Sequence, residues 1–280
     1  MARKLFCEIS PFTYQISVRK NILFKKLNDR ISKNRFAQTF NEELLPNLVY
    51  KHNSLIRRKL GNVSSILQDN KAINLALSTP KINHIMIQQG ETFSFWQLVG
   101  ECSGKLGYKE GLTVGREEET SSGIGGGMCQ FTNLIHWMVL HTPLKVVEHH
   151  HHDGVDMFPD YGRKVPFGTG TSIVYNYFDY RFKNETDQAF QLITYVDEKY
   201  LYGEIRSERP LNQKYHIQVE NEFFSEEKGI VYRNSELYQR IINKKNGIEV
   251  KKTLIKKNHA KVLYDTSNLD IRSVDITETL

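Results

Sequence analysis

The sequence predicts an α+β protein, with a helical N-terminal region, then a mostly antiparallel β-rich domain holding one buried helix. Three patterns carry that reading. Leu23, Leu27 and Ile31 recur at helical spacing near the N-terminus. From Lys145 onward, short runs such as KVVEH, YRFKN, AFQLITYV and YLYGEIRS are rich in β-branched and aromatic residues. Between them, a glycine run leads into the apolar stretch Phe131, Leu134, Ile135, Met138 and Val139, a period suited to a buried helix.

Taken in order, residues from about Tyr14 to Leu60 are expected to be mostly helical, with a break at Pro46 and a stop at Gly61. Arg19, Lys20, Lys25, Lys26 and Arg30 give this stretch a basic face. That face reads either as solvated or as peripheral contact with an anionic membrane surface. A further helix is expected from about Val63 to Leu77. INHIMI followed by GETFSF reads as a strand entering a tight turn, and the stretch from Leu98 to Gly127 reads as glycine-punctuated loop. SIVYNY is expected to be a strand, and Asn184-Glu185 and Asp197-Glu198 hairpin turns. Asn246-Gly247, between RIINKK and IEVKKTL, is the strongest hairpin signal in the chain. The organisation expected is a helical extension over 1–80, a central domain over 81–209 and a β-rich appendage over 210–280.

The chain has 280 residues, 39% hydrophobic and 25% charged, with a formal net charge of +6. These values fit a globular protein and permit an anionic partner. No segment is apolar and long enough to span a bilayer, and the N-terminus lacks the apolar core of a secretory signal. Cys7, Cys102 and Cys129 are too few and too scattered for a disulfide framework. A reduced, cytoplasmic protein, with a membrane-peripheral one as the alternative, is the expectation. No cofactor and no nucleic-acid partner is implied, and the oligomeric state is open.

SSGIGGGMCQFTNLIHWMVLHTP, Ser121 to Pro143, carries the chemistry. Gly125, Gly126 and Gly127 deliver Cys129 to a helix N-terminus, among unpaired amides and the positive end of the helix dipole. Such a place favours the thiolate, which is the nucleophile. The amides near Met128 and Cys129 are candidate oxyanion donors, and Gln130 follows as a candidate contact. Gly126 is expected to need a positive φ. The same cysteine also reads as a small buried hydrophobe at a tight junction.

Glu148 to Asp153 places His149, His150, His151 and His152 in a row. Continued strand alternation would put His150 and His152 on one face, and His149 and His151 on the other. One of them could be the base a cysteine nucleophile needs. His150 and His152 could instead begin a zinc site, though zinc wants further ligands. His136 and His141 read as packing or helix-end residues. Phe93, Phe95 and Trp96 read as core or as an aromatic ligand wall, and Asn176 and Asp179 as polar site residues or turn and pairing residues.

Together GETFSFWQLVG, GLTVG (Gly111 to Gly115), GGGMCQFTNL, VVEHHHHD and VPFGTGTSIVYNYFDYRFKN resemble the VanW family, over roughly Ile82 to Arg206. The family pattern sets glycines before a Cys-Gln pair, here Cys129-Gln130, and a histidine after a Val-Glu pair, best matched by His152 and followed here by Asp153. Where the family often has Gly-x-Asp-Ala-Thr-Val, this chain has Gly170-Thr171-Ser172-Ile173-Val174, without the aspartate. The resemblance implies a role in glycopeptide resistance or peptidoglycan metabolism. Some members outside the cell are linked to L,D-transpeptidation through the cysteine. On that implication Cys129 is the nucleophile and His152 the base. Gly125, Gly126, Gly127, Met128, Gln130 and His150 would bind a peptide or peptidoglycan precursor. The alternatives are a non-enzymatic module binding such a precursor or a partner protein, and a histidine-cluster zinc protein.

Overall fold

The computed structural model describes residues 5–58, 64–114, 120–151, 154–157, 159–160, 164–175 and 177–273. Helix α1 (Pro11–Ile31) opens with Ser10 as its N-cap, whose hydroxyl accepts the Thr13 N–H, and with a proline at its first position. The helix ends at Ile31, well short of Leu60. The chain then forms β1 (Arg35–Phe36) and β2 (Asn47–Leu55). The helical expectation for this segment is corrected there: Asn47, Leu48 and Tyr50 to Leu55 pair along another strand, with Val49 and Tyr50 half-buried. Next come α2 (Ser65–Ser78), β3 (Ile85–Ile87), β4 (Glu91–Ser94), and a short α3 (Phe95–Val99) capped by the Ser94 hydroxyl.

The stretch expected as loop contains a hairpin of β5 (Glu110–Val114) and β6 (Thr120–Ile124), and α4 (Met128–Val139) follows. After it come β7 (Lys145–Glu148), β8 (Val155–Asp156), β9 (Arg181–Lys183), β10 (Phe190–Val196) and β11 (Tyr200–Ser207). The C-terminal part holds β12 (Gln213–Glu227), β13 (Ile230–Asn243), β14 (Glu249–Val262) and β15 (Ile271–Ser273). Among the described residues of the expected strand SIVYNY, only Val174 forms a bridge, an isolated one to Phe178.

Two four-stranded sheets build the central layer, in the orders β1-β4-β9-β7 and β2-β11-β10-β3. Asp197 turns β10 into its antiparallel partner β11, as expected. Asn184 instead sits where the chain leaves one sheet for the other. Buried there, it donates to the carbonyls of Ile87 and Gln188, each at 2.8 Å, and its side chain ties the two sheets together. A third sheet, β15-β12-β13-β14-β8, forms the C-terminal part, and the Asn243–Ile248 turn with Gly247 at φ 71° joins β13 to β14.

Helix α4 buries Phe131, Leu134, Ile135 and Met138 against this layer. Gly203 on β11 makes room for it, since a Cβ there would fall 2.4 Å from the Met138 methyl. Phe93 and Phe95, with Phe182 stacked on Phe93 at 4.7 Å, are fully buried and belong to the core.

Helix α1 lies on the domain by its polar side. Arg181 forks onto Asp29 at 2.6 and 2.8 Å and also holds Asp179 at 2.7 Å. Lys25 pairs with Glu148. The opposite side leaves Phe12, Ile16, Leu23, Leu27 and Ile31 exposed, with Leu5, Phe6 and Ile9 just ahead. Asp179 is therefore a pairing residue: it also accepts from the Ser94 hydroxyl and from the Trp96 and Tyr180 amides. Asn176 lies outside the described residues.

Candidate functional site

Three glycines shape the approach to Cys129, for different reasons. Gly125 and Gly127 take φ +81° and +104°, conformations that L side chains rarely adopt. Gly126 does not take a positive φ, contrary to expectation. It is a glycine because its α-carbon is pressed against Gly111, where a Cβ would lie 2.2 Å from the carbonyl carbon. Asn74 on α2 clamps the loop from outside. Its amide donates to the carbonyls of Gly126 and Lys109, both at 2.9 Å, and its oxygen accepts the Lys109 N–H at 2.8 Å.

Cys129 is the second residue of α4, whose N-cap Gly127 offers no side-chain cap. The amides of Met128 and Cys129 find no acceptor in another described residue, as expected in a first helical turn. The segment from Gly170 to Ile173 folds along this helix. Asn133 accepts from the Thr171 amide at 2.6 Å and its hydroxyl at 2.8 Å, while Thr171 also reaches Thr132 and the Cys129 carbonyl. Cys129 as a residue is half-buried, but its sulfur lies under this segment. Burial pushes the thiol pKa up, and the opposing amides of Ile173 and Cys129 do not reverse it. The downward shift expected from the helix dipole is thus outweighed by loss of water. Met128 is buried in the core, where its sulfur accepts from Ser78, and Gln130 ties α4 to β2 through Ser54 and Leu55.

The histidines divide. His150 turns away from α4, stacks on Phe178 at 4.3 Å and meets Glu148 at 3.3 Å. His149 turns toward α4. Its ring lies 4.0 Å from that of His136 and 3.9 Å from that of His151, and its Nε2 meets the Gly170 carbonyl at 3.0 Å. His136 in turn meets the Tyr180 hydroxyl at 3.1 Å. Burial first, then the neighbouring imidazoles, holds His149 down to about 3 and His136 well below the usual range. Both are neutral at pH 7. His152 and Asp153 lie outside the described residues. Among the described residues no three His, Cys, Asp or Glu side chains are placed to hold a metal.

Cys129, Thr132, Asn133 and His136 recur at i, i+3, i+4 and i+7, so they share one face of α4. The Gly170–Ile173 segment and His149 complete that face. Sequence reasoning treated His136 as packing and did not single out Asn133, Thr171 or Asn74. The helical spacing of Asn133 and His136 from Cys129 was the signal available.

Residues 70–206 match the family described as VanW like protein. Over 243 residues, 87% of this chain and 86% of the relative, the sequence is 30% identical to the vancomycin B-type resistance protein VanW of Enterococcus faecalis (strain ATCC 700802 / V583). It is also 30% identical over 118 residues to the uncharacterized protein YoaR of Bacillus subtilis (strain 168), covering 41% of this chain and 36% of that one. No solved structure matches.

Proposed function

The chain belongs to the VanW-like family, and from that premise we propose that it acts in glycopeptide resistance or cell-envelope metabolism as a cysteine-dependent acyl transferase on a peptide. The observation that carries this reading is Cys129 in the first turn of α4, beside uncapped amides and on one helix face with a neutral imidazole cluster. In the reaction, the Cys129 sulfur bonds to a peptide carbonyl carbon while its proton passes to an imidazole. The Met128 and Cys129 amides hold the oxyanion. The C–N bond then breaks, and the amine leaves with that proton. A second amine or water attacks the thioester and returns the proton to sulfur. His149 is the described imidazole facing α4, and His152 is the one favoured by the family pattern.

Intact-mass measurement with peptidoglycan stem peptides tests the proposal. An acyl adduct on the wild type, absent in Cys129→Ala, is the expected result. His149→Ala and His152→Ala then identify the base by which of them loses the adduct. No adduct with any stem peptide would leave the non-enzymatic binding module as the better reading. The upward-shifted thiol is the observation that favours that second reading.

Peripheral docking to an anionic membrane belongs to the same proposal. The outward side of α1 is apolar, and exposed Arg19, Lys20, Lys26 and Arg30 accompany it. The single acid of α1, Asp29, is turned inward onto Arg181. An apolar strip with cations and no free acid suits the headgroup region of such a bilayer.

A further inference from the structure

Lys71 is 5% exposed, and it has no hydrogen bond or salt bridge with another described residue. One turn earlier on α2, Gln68 is also 5% exposed, and neither heteroatom of its amide has a partner. Buried polar groups without partners are rare, and a buried unpaired ammonium is especially costly. The two side chains share one face of α2, and Lys71 lies beside the entry to α4. The Lys71 stem runs across Gly127, with its Cγ 2.4 Å from where a Cβ would stand. That close approach is available because Gly127 carries no side chain.

Among the described residues, the charges that bear on Lys71 share one sign. Helix α4 has no side-chain cap and no acid in its first turn. Gln130, its third residue, is engaged with Ser54 and Leu55, and Arg58 reaches the same Ser54 hydroxyl at 3.3 Å. Arg57 is close enough for its charge to bear on Lys71 but is matched by Asp69 at 2.6 Å. Burial, with the charges of Arg58 and Arg57, lowers Lys71 to about 8, so it remains mostly cationic at neutral pH. A buried cation, with an unsatisfied amide one turn away, therefore meets the positive end of a twelve-residue helix, with no anion among the described residues paired to it.

We propose that Lys71 and Gln68, at the positive end of α4, bind an oxyanion, the carboxylate of a peptide substrate. A carboxylate offers two oxygens, enough to accept from the ammonium and the Gln68 amide nitrogen together. Naming a peptide as its source rests on the acyl-transfer reading; the oxyanion site itself does not. Since Lys71 packs on Gly127, two residues before Cys129, the carboxylate would lie next to the bond Cys129 attacks. The preferred substrate is then a peptide with its carboxylate close to the reacting carbonyl.

Titration calorimetry on the wild-type protein tests this without a variant. The probes are an N-acetylated D-alanyl dipeptide acid, its C-terminal amide and inorganic phosphate. The acid is expected to bind at least tenfold more tightly than the amide, and Lys71→Met to remove that preference. Equal binding of acid and amide, or no binding of either, overturns the site. An acid preference that persists in Lys71→Met overturns the assignment to Lys71. Phosphate binding as tightly as the peptide acid overturns the peptide as the source. A Cys129 adduct that forms equally from amidated peptides would sink the carboxylate site but leave acyl transfer standing. Carboxylate binding with no Cys129 adduct would do the reverse.

Discussion

Gly126→Ala tests whether the loop before Cys129 is set by close packing. The added methyl would lie 2.2, 2.4 and 2.7 Å from the carbonyl carbon, oxygen and α-carbon of Gly111. All three are backbone atoms, so no side chain can rotate out of the way. Reaching ordinary contact at 3.4 Å requires the loop and β5 to part by about 1 Å. Overpacking of this kind costs roughly 1–3 kcal/mol. The separation also pulls on the Asn74 clamp, whose hydrogen bonds are worth about 1 kcal/mol each. A loss on the order of 2–5 kcal/mol follows, or a fall in melting temperature of roughly 5–15 °C for a chain of this size. Gly170→Ala is the control, since nothing lies within 4 Å of its Cβ position and its φ is not positive. It should stay within about 0.5 kcal/mol of the wild type. Differential scanning calorimetry on the two variants decides the matter. Gly126→Ala melting within 2 °C of Gly170→Ala, roughly the smallest loss this packing cost allows, would refute the argument.

Other outcomes follow from the same geometry. Because burial raises the Cys129 thiol, its alkylation by iodoacetamide should be slow at neutral pH and rise only above the ordinary thiol range; a rate already at plateau at pH 7 contradicts this. His149 and His141 are held down to about 3 and about 4 in the folded chain, while the unfolded chain takes up protons near 6.5. Stability is therefore fully present above about pH 6.5 and declines toward pH 4, by on the order of 1 kcal/mol per pH unit for each histidine. Melts at pH 7, 6 and 5 check the slope, and a flat profile would show the rings are not buried neutral. Vesicles containing anionic lipid should co-sediment the wild type and lose it on Leu23→Ser with Leu27→Ser. Both residues are exposed, so the fold is kept; equal binding of wild type and variant would move the apolar face to a protein partner.

The legible parts of the sequence were those where one local pattern decides the outcome. Asn246-Gly247, the alternation in AFQLITYV and YLYGEIRS, and the apolar period after Cys129 each select an element with little outside help. The segment over 47–55 was misread because its alternation is mixed with polar residues, and only the ladder to β11 makes it a strand. SIVYNY has strand composition, yet Ile173 is taken up by a contact to α4 and Tyr175 by the Trp96 corner. At the site, the sequence located the glycine loop and Cys129 at the helix start. Solvent access decided the thiol pKa, and access is created by a segment some forty residues downstream, so local reading could not supply it. Lys71 and Gln68 were invisible for the same reason: a lysine in an ordinary helix reads as solvated until the packing against Gly127 is known.

Burial acts in opposite directions on the two partners of the proposed chemistry, raising the thiol and lowering His149. Both shifts oppose a thiolate–imidazolium pair in the free protein. A site of this kind stores no ionised nucleophile. The proton has to move during the attack itself, when the developing oxyanion and the helix amides compensate the charge that water cannot. Slow alkylation and productive acylation are therefore compatible, because displacement of iodide from iodoacetamide develops no oxyanion for the amides to hold and brings no carboxylate to Lys71. A binding module would show slow alkylation as well, but no acyl adduct. The two readings separate only when Cys129 meets a peptide, and a stem peptide that acylates a protein resistant to iodoacetamide at pH 7 is the result that selects the enzyme.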